Sequence, residues 1–129
     1  MREVKEAEFW LKSAKDLFDS NKPNSEKYTV VTAQVIHSII KANDALTLKF
    51  LRKRAIRHDD APQLFLDLIK FNKIPPKFAD LRKTVIIPAI NTKSRADYKG
   101  IEVSRTEAER WIRMGEKFLK SVKECVGIS

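Results

Sequence analysis

Two histidines, His37 and His58, and one cysteine, Cys125, are the residues of this 129-residue chain best suited to moving protons or holding a soft metal. They lie far apart and show no metal-ligand spacing, so no metal is expected. A lone cysteine rules out a disulfide framework within the chain. Three glycines leave no Gly-rich phosphate loop, and no cofactor is expected. The chemistry on offer is cationic. The run Lys49-Phe50-Leu51-Arg52-Lys53-Arg54-Ala55-Ile56-Arg57-His58 holds five Lys/Arg and no acid. Lys93, Arg95 and Lys99 form a smaller group further on, and Lys70, Lys73, Lys77, Arg82 and Lys83 lie between. Guanidinium and ammonium groups at this density suit phosphate contact. Arg52, Lys53, Arg54, Arg57 and Lys93 are therefore candidate binding residues.

The net charge of +9 is unevenly placed. Residues 49–99 hold thirteen Lys/Arg against five Asp/Glu, which is +8 of the total. Residues 1–48 sum to zero. A basic middle between near-neutral ends points to an anionic partner, nucleotide or RNA, more than to general solubility. Asp44 is the opposite case, a carboxylate on the most apolar stretch of the chain. Helical spacing puts it on one face with His37, Lys41 and Leu48. A buried carboxylate needs a partner, and Lys41 and Arg95 are the two candidates.

Helical periodicity must supply the elements that position these groups. Val4, Ala7, Leu11, Ala14 and Phe18 predict a helix from about Arg2 to Ser20. Asn21-Lys22-Pro23-Asn24 breaks it, and Ser25 is placed to cap a second helix from about Glu26 to Arg54. That helix is apolar on most sides, so it should sit centrally. Asp59 or Asp60 caps a shorter helix with Pro62 in its first turn. Pro75-Pro76 separates it from a segment around Phe78, Leu81 and Val85 that should end at Pro88. Residues 89–100 read as loop or further helix. Ser104 with Glu107 forms a capping box for a last helix to about Cys125. Trp10 and Trp111 fall at core or interface spacing. The sum is one all-α domain, an antiparallel up-and-down four-helix bundle with an additional short helix. No apolar run approaches the ~20 residues of a membrane span. The N-terminal residues lack a secretory core, so a cytoplasmic protein is expected.

Three stretches give the chain a family likeness: Glu8-Phe9-Trp10-Leu11-Lys12-Ser13-Ala14-Lys15-Asp16-Leu17, then Lys41-Ala42-Asn43-Asp44-Ala45-Leu46, then His58-Asp59-Asp60-Ala61-Pro62-Gln63-Leu64. With Ser94-Arg95-Ala96-Asp97-Tyr98 ahead of the last helix, their order resembles the HEPN family, the higher-eukaryote and prokaryote nucleotide-binding domain. The resemblance implies a helical bundle that dimerises and works near nucleotides or RNA. It also implies a minimal nucleotidyltransferase partner in a two-component, toxin-antitoxin-like module. Some members of that family cut RNA without a metal, using an Arg and a His with four to six residues between them. By spacing the match here is Arg52 with His58. By position the phosphate holder carried over is Arg95, with Tyr98 as a nearby hydrogen-bond donor, and no histidine follows Arg95. Binding of nucleotide, RNA or a partner protein is thus the leading expectation. A metal-independent ribonuclease using Arg95 and His58 is the alternative, and a non-catalytic structural subunit is a third reading.

Overall fold

A computed structural model describes residues 1–21, 26–99 and 102–128, and only the backbone of residues 96–99. Five α-helices form among the described residues: α1 (Arg2–Asp19), α2 (Glu26–Leu51), α3 (Ala61–Lys70), α4 (Ile87–Lys99) and α5 (Arg105–Val126). No strand occurs among those residues, so the all-α bundle expected from the periodicity is what forms. The cap expected at Ser25 lies outside the described residues.

Apolar residues at three- and four-residue steps give each long helix a face to bury. Val4, Ala7, Leu11, Ala14 and Phe18 are the buried residues of α1, the same stripe read from the sequence. On α2, Val31, Val35, Ile36, Ile39, Ala42 and Leu46 are all buried, which makes it the central helix. Helix α5 adds Ala108, Ile112, Phe118, Leu119 and Val122.

Cross-helix pairs fix the directions. Phe18 meets Tyr28, Gln34 Nε2 donates to Ser13 Oγ, Trp10 stacks near His37, and Ser38 Oγ donates to the Ala7 carbonyl. One number falls as the other rises, so α1 and α2 are antiparallel. Arg105 pairs with Tyr28 and Lys49 with the Val126 carbonyl, so α5 runs parallel to α2. Helix α4 also packs on α2. Its approach is tied to the start of α3 by Arg82 Nε donating to the Pro62 carbonyl, and Lys93 lines a cleft with Thr29 and Thr32. Helix α3 is the short extra helix.

Three boundaries differ from the sequence-based expectation, each for a local reason. Helix α2 stops at Leu51, three residues short of Arg54, because Arg52 takes a left-handed conformation at φ 58°. That conformation ends a helix, and it is unfavourable for a side chain with a Cβ. Asp60 precedes α3, but its carboxylate accepts from the Arg57 backbone N–H instead of capping that helix. Pro88 does not stop the chain. A π-helical turn at Arg82–Ile86 leads into α4, with the Ile87 N–H bonded to the Arg82 carbonyl. Pro88 follows that turn within one continuous helical run over residues 81–99. The 89–99 stretch is consequently helix. The capping box at Ser104 and Glu107 forms as expected, the Ser104 hydroxyl accepting from the Glu107 N–H at 3.1 Å.

Gly115 lets α5 pack tightly against side chains of α2 and α1. A Cβ there would stand 2.8 Å from Val35 Cγ1 and 3.3 Å from Leu11 Cδ1. Val35 is fully buried and branched, so it cannot swing aside. Gly115→Val should lower unfolding free energy by roughly 2–3 kcal/mol, measured by urea denaturation. An unchanged midpoint would mean that the helices are not held this closely.

Candidate functional site

His37, Ile40, Lys41 and Asp44 recur at three- and four-residue steps and share one face of α2. The segment after α2 completes a site on that face. Arg52 turns the chain in its left-handed conformation, and residues 53–57 run back along α2. A tight turn then closes between Arg57 and Asp60: the Asp60 N–H donates to the Arg57 carbonyl at 2.9 Å, and the Arg57 N–H to Asp60 Oδ2 at 3.2 Å. This returns His58 and Ala61 to the middle of α2 instead of its end. The result is a polar cleft of about 390 Å³ in which Arg54 and His58 face His37, Lys41 and Asp44. Ile40, Ala55 and Ala61 supply its apolar wall, and Ile56 stands at the edge, 96% exposed.

Charges in this cleft compete. The Lys41 ammonium lies 3.3 Å from Glu6 Oε2 on α1. That hydrogen bond, with the charges of Lys41 and Arg2, holds the Glu6 carboxyl below its ordinary value. Asp44 is buried, and burial pushes its carboxyl above the usual 3.8. Lys41 and Arg54 oppose that rise, while Glu3 and Glu6 add to it. Of the two partners expected for Asp44, Lys41 acts on it and Arg95 does not. Lys41 is shared with Glu6, because the antiparallel register of α1 and α2 brings those two together. The arginine whose field reaches Asp44 is Arg54, not Arg95.

Beside this cleft lies a second, larger one of about 450 Å³, mostly apolar. Its floor is Val30, Ala33 and His37 of α2, with Trp10 of α1, Lys93 of α4, and Val103 around it. His37 borders both clefts, its ring 4.6 Å from the Trp10 ring. The two basic segments of the sequence therefore reach neighbouring clefts that meet at one histidine. Arg52, Lys53 and Arg57 are exposed on the 52–57 linker, outside the lining of the polar cleft. Arg95 is exposed on α4 and lines neither cleft, so the structure does not bring it to His58. The Tyr98 side chain lies outside the described residues.

Trp10, which falls at core or interface spacing in the sequence, stands at the apolar cleft beside His37. The three- and four-residue spacing already placed His37 with Lys41 and Asp44. What it could not show was the returning linker that covers them. Among the described residues no group of three His, Cys, Asp or Glu could hold a metal ion, and no helix is long and apolar enough to cross a membrane. The arrangement can hold an anion on Lys41 and Arg54, exchange protons through two imidazoles, and offer one carboxylate acceptor.

Because the folded-state value of Asp44 is raised, the native state holds its proton more tightly than the unfolded chain. Stability should then fall as pH rises through the window that begins near 3.8 and ends at the raised value. Asp44→Asn should be more stable than the parent at neutral pH and equal to it in strong acid. Denaturation of both proteins across that range checks this, and a less stable Asn variant at neutral pH contradicts it. No protein-family model, no curated protein and no solved structure matches the chain, so the chemistry of the site has to be read from its own residues.

Proposed function

We propose that the protein is a nucleotide- or RNA-binding helical module that takes a phosphate of its ligand in the polar cleft between α2 and the 52–57 linker. One observation carries this reading. Arg54 and His58 face Lys41 and His37 across a single cleft, and three further cations stand outside it on the same linker. Guanidinium and ammonium donors hold phosphate oxygens strongly. Arg52, Lys53 and Arg57 give an electrostatic approach for a longer polyanion. Asp44 supplies an acceptor for ribose hydroxyls, the groups that distinguish RNA from DNA. The HEPN likeness supports the same ligand class. It also supports a homodimer and a minimal nucleotidyltransferase partner within a two-component module.

Binding of a short single-stranded RNA, followed by fluorescence anisotropy at two salt concentrations, tests the reading. Arg54→Gln should weaken binding about tenfold, the cost of one charge-assisted contact. Charge reversal to Glu at Arg52, Lys53, Arg54 and Arg57 together should abolish it and flatten the salt dependence. Undiminished binding by a fully helical four-residue variant rejects the cleft.

A second reading, metal-free cleavage of RNA, is supported by both histidines lining this cleft, one to take a proton and one to give it. Purified protein should then degrade RNA in the presence of a chelator, with at least a hundredfold loss in His37→Ala and His58→Ala. RNA left intact by the parent protein over hours removes this reading and leaves the binding one.

A further inference from the structure

Both histidines of the chain line the same polar cleft. Imidazole is the side chain whose ordinary charge change falls between pH 5 and 8. The groups around the two rings decide what that change does. Despite the +9 of the whole chain, the cleft is not strongly basic. Of its lining residues, Lys41 and Arg54 are cations and Asp44 is an anion. Helix α1 brings acids to the same place: Glu6 holds the Lys41 ammonium at 3.3 Å, and the charge of Glu3 acts on Asp44. Arg2 returns one positive charge, its Nε 3.1 Å from Glu6 Oε1. Three cations thus face three carboxylates, and at neutral pH these charges cancel.

The remaining charges stand further off. Among the described residues no charged group of α3, α4 or α5 lines the polar cleft. Lys93 of α4 lines the apolar cleft with His37 and stands outside the polar one. Arg57, Asp59 and Asp60 flank His58 in the chain, and Arg52 and Lys53 are exposed on the linker. An anion entering a cleft whose charges cancel gains little direct attraction. Each proton taken by an imidazole adds a full positive charge beside the Lys41 and Arg54 donors. Asp44 acts in the same direction: burial raises its carboxyl, and a proton there removes one of the opposing charges. Every titration in the cleft therefore has one sign, towards positive charge in acid.

We propose that anion binding in the polar cleft is coupled to proton uptake by His37 and His58, so that the protein takes its ligand in mild acid and releases it in mild base. The proposal rests on the phosphate reading of this cleft and adds the control of that site by pH. The coupling is reciprocal, because a bound anion must make the two imidazoles more basic. Arg54 and Lys41 supply donors at any pH in this range, and the histidines supply the charge that the surrounding carboxylates cancel.

Binding of an oligouridylate at constant ionic strength, between about pH 5 and about pH 8, tests this, because its phosphodiesters and uracil rings keep their charge while imidazole titrates. The parent should bind about tenfold more tightly at the acid end, with circular dichroism showing the same helix content at both ends. His37→Gln and His58→Gln together should give equal affinity at the two ends. His58→Gln alone, at an exposed position, should reduce the ratio. Arg54→Gln should weaken binding at both ends and keep the ratio. Equal affinity of the parent at both ends overturns the coupling and leaves the phosphate reading standing. An undiminished ratio in the histidine variants also overturns it. No binding by the parent at either end overturns both readings.

Discussion

A glycine with a valine against its Cα decides where three helices sit. At Gly115 the backbone of α5 comes so near α2 that any side chain would collide with Val35 Cγ1, 2.8 Å from the ideal Cβ position. Leu11 of α1 presses on the same point. With α1 and α5 drawn in, α2 is covered along its buried residues from Val31 to Leu46. The part of its surface left over is a strip running from Val30 to Asp44. Both clefts lie along that strip. The dense packing on one side of α2 thus confines the polar chemistry to the other.

That strip keeps groups an ordinary core would not. Asp44 is buried with only partial compensation, because Lys41 is also bonded to Glu6. Thr32 Oγ1, Gln34 Oε1 and Asn43 Oδ1 are buried without partners. Arg52 holds a left-handed conformation that a glycine would adopt with less strain. Each feature costs stability, and proteins tend to concentrate such costs where they bind ligands. Here Asp44, Thr32 and Gln34 border a cleft, and Arg52 opens the linker that covers one. The exposed ion pairs, such as Lys15 with Glu116 and Lys123 with Glu8, do not offset these costs, since surface pairs contribute about 1 kcal/mol at most. Burial along α2 has to do so.

Much of the fold was legible because it is written at short range. The α1 stripe, the central role of α2, the Ser104–Glu107 capping box and the grouping of His37, Lys41 and Asp44 on one face all follow from spacing within a single helix. Residues that misled were those whose behaviour depends on a neighbour. Pro88 reads as a stop, yet a π-helical turn carries the helix up to it and α4 continues through it. Arg54 reads as the end of α2 until Arg52 turns the chain. Lys41 reads as a partner for Asp44 alone, but α1 brings Glu6 within 3.3 Å and the ammonium is shared between the two carboxylates.

By itself the sequence determined that the chain is helical, that α2 is buried, and that the positive charge gathers in residues 49–99, since composition and periodicity need no knowledge of distant residues. Only the tertiary structure decided that Arg54 and His58 fold back over His37, Lys41 and Asp44, that Arg95 stays away from them, and that Lys93 and Trp10 wall a separate groove. Those placements depend on one left-handed residue and on the register between antiparallel helices, and both are settled by packing between segments far apart in the chain.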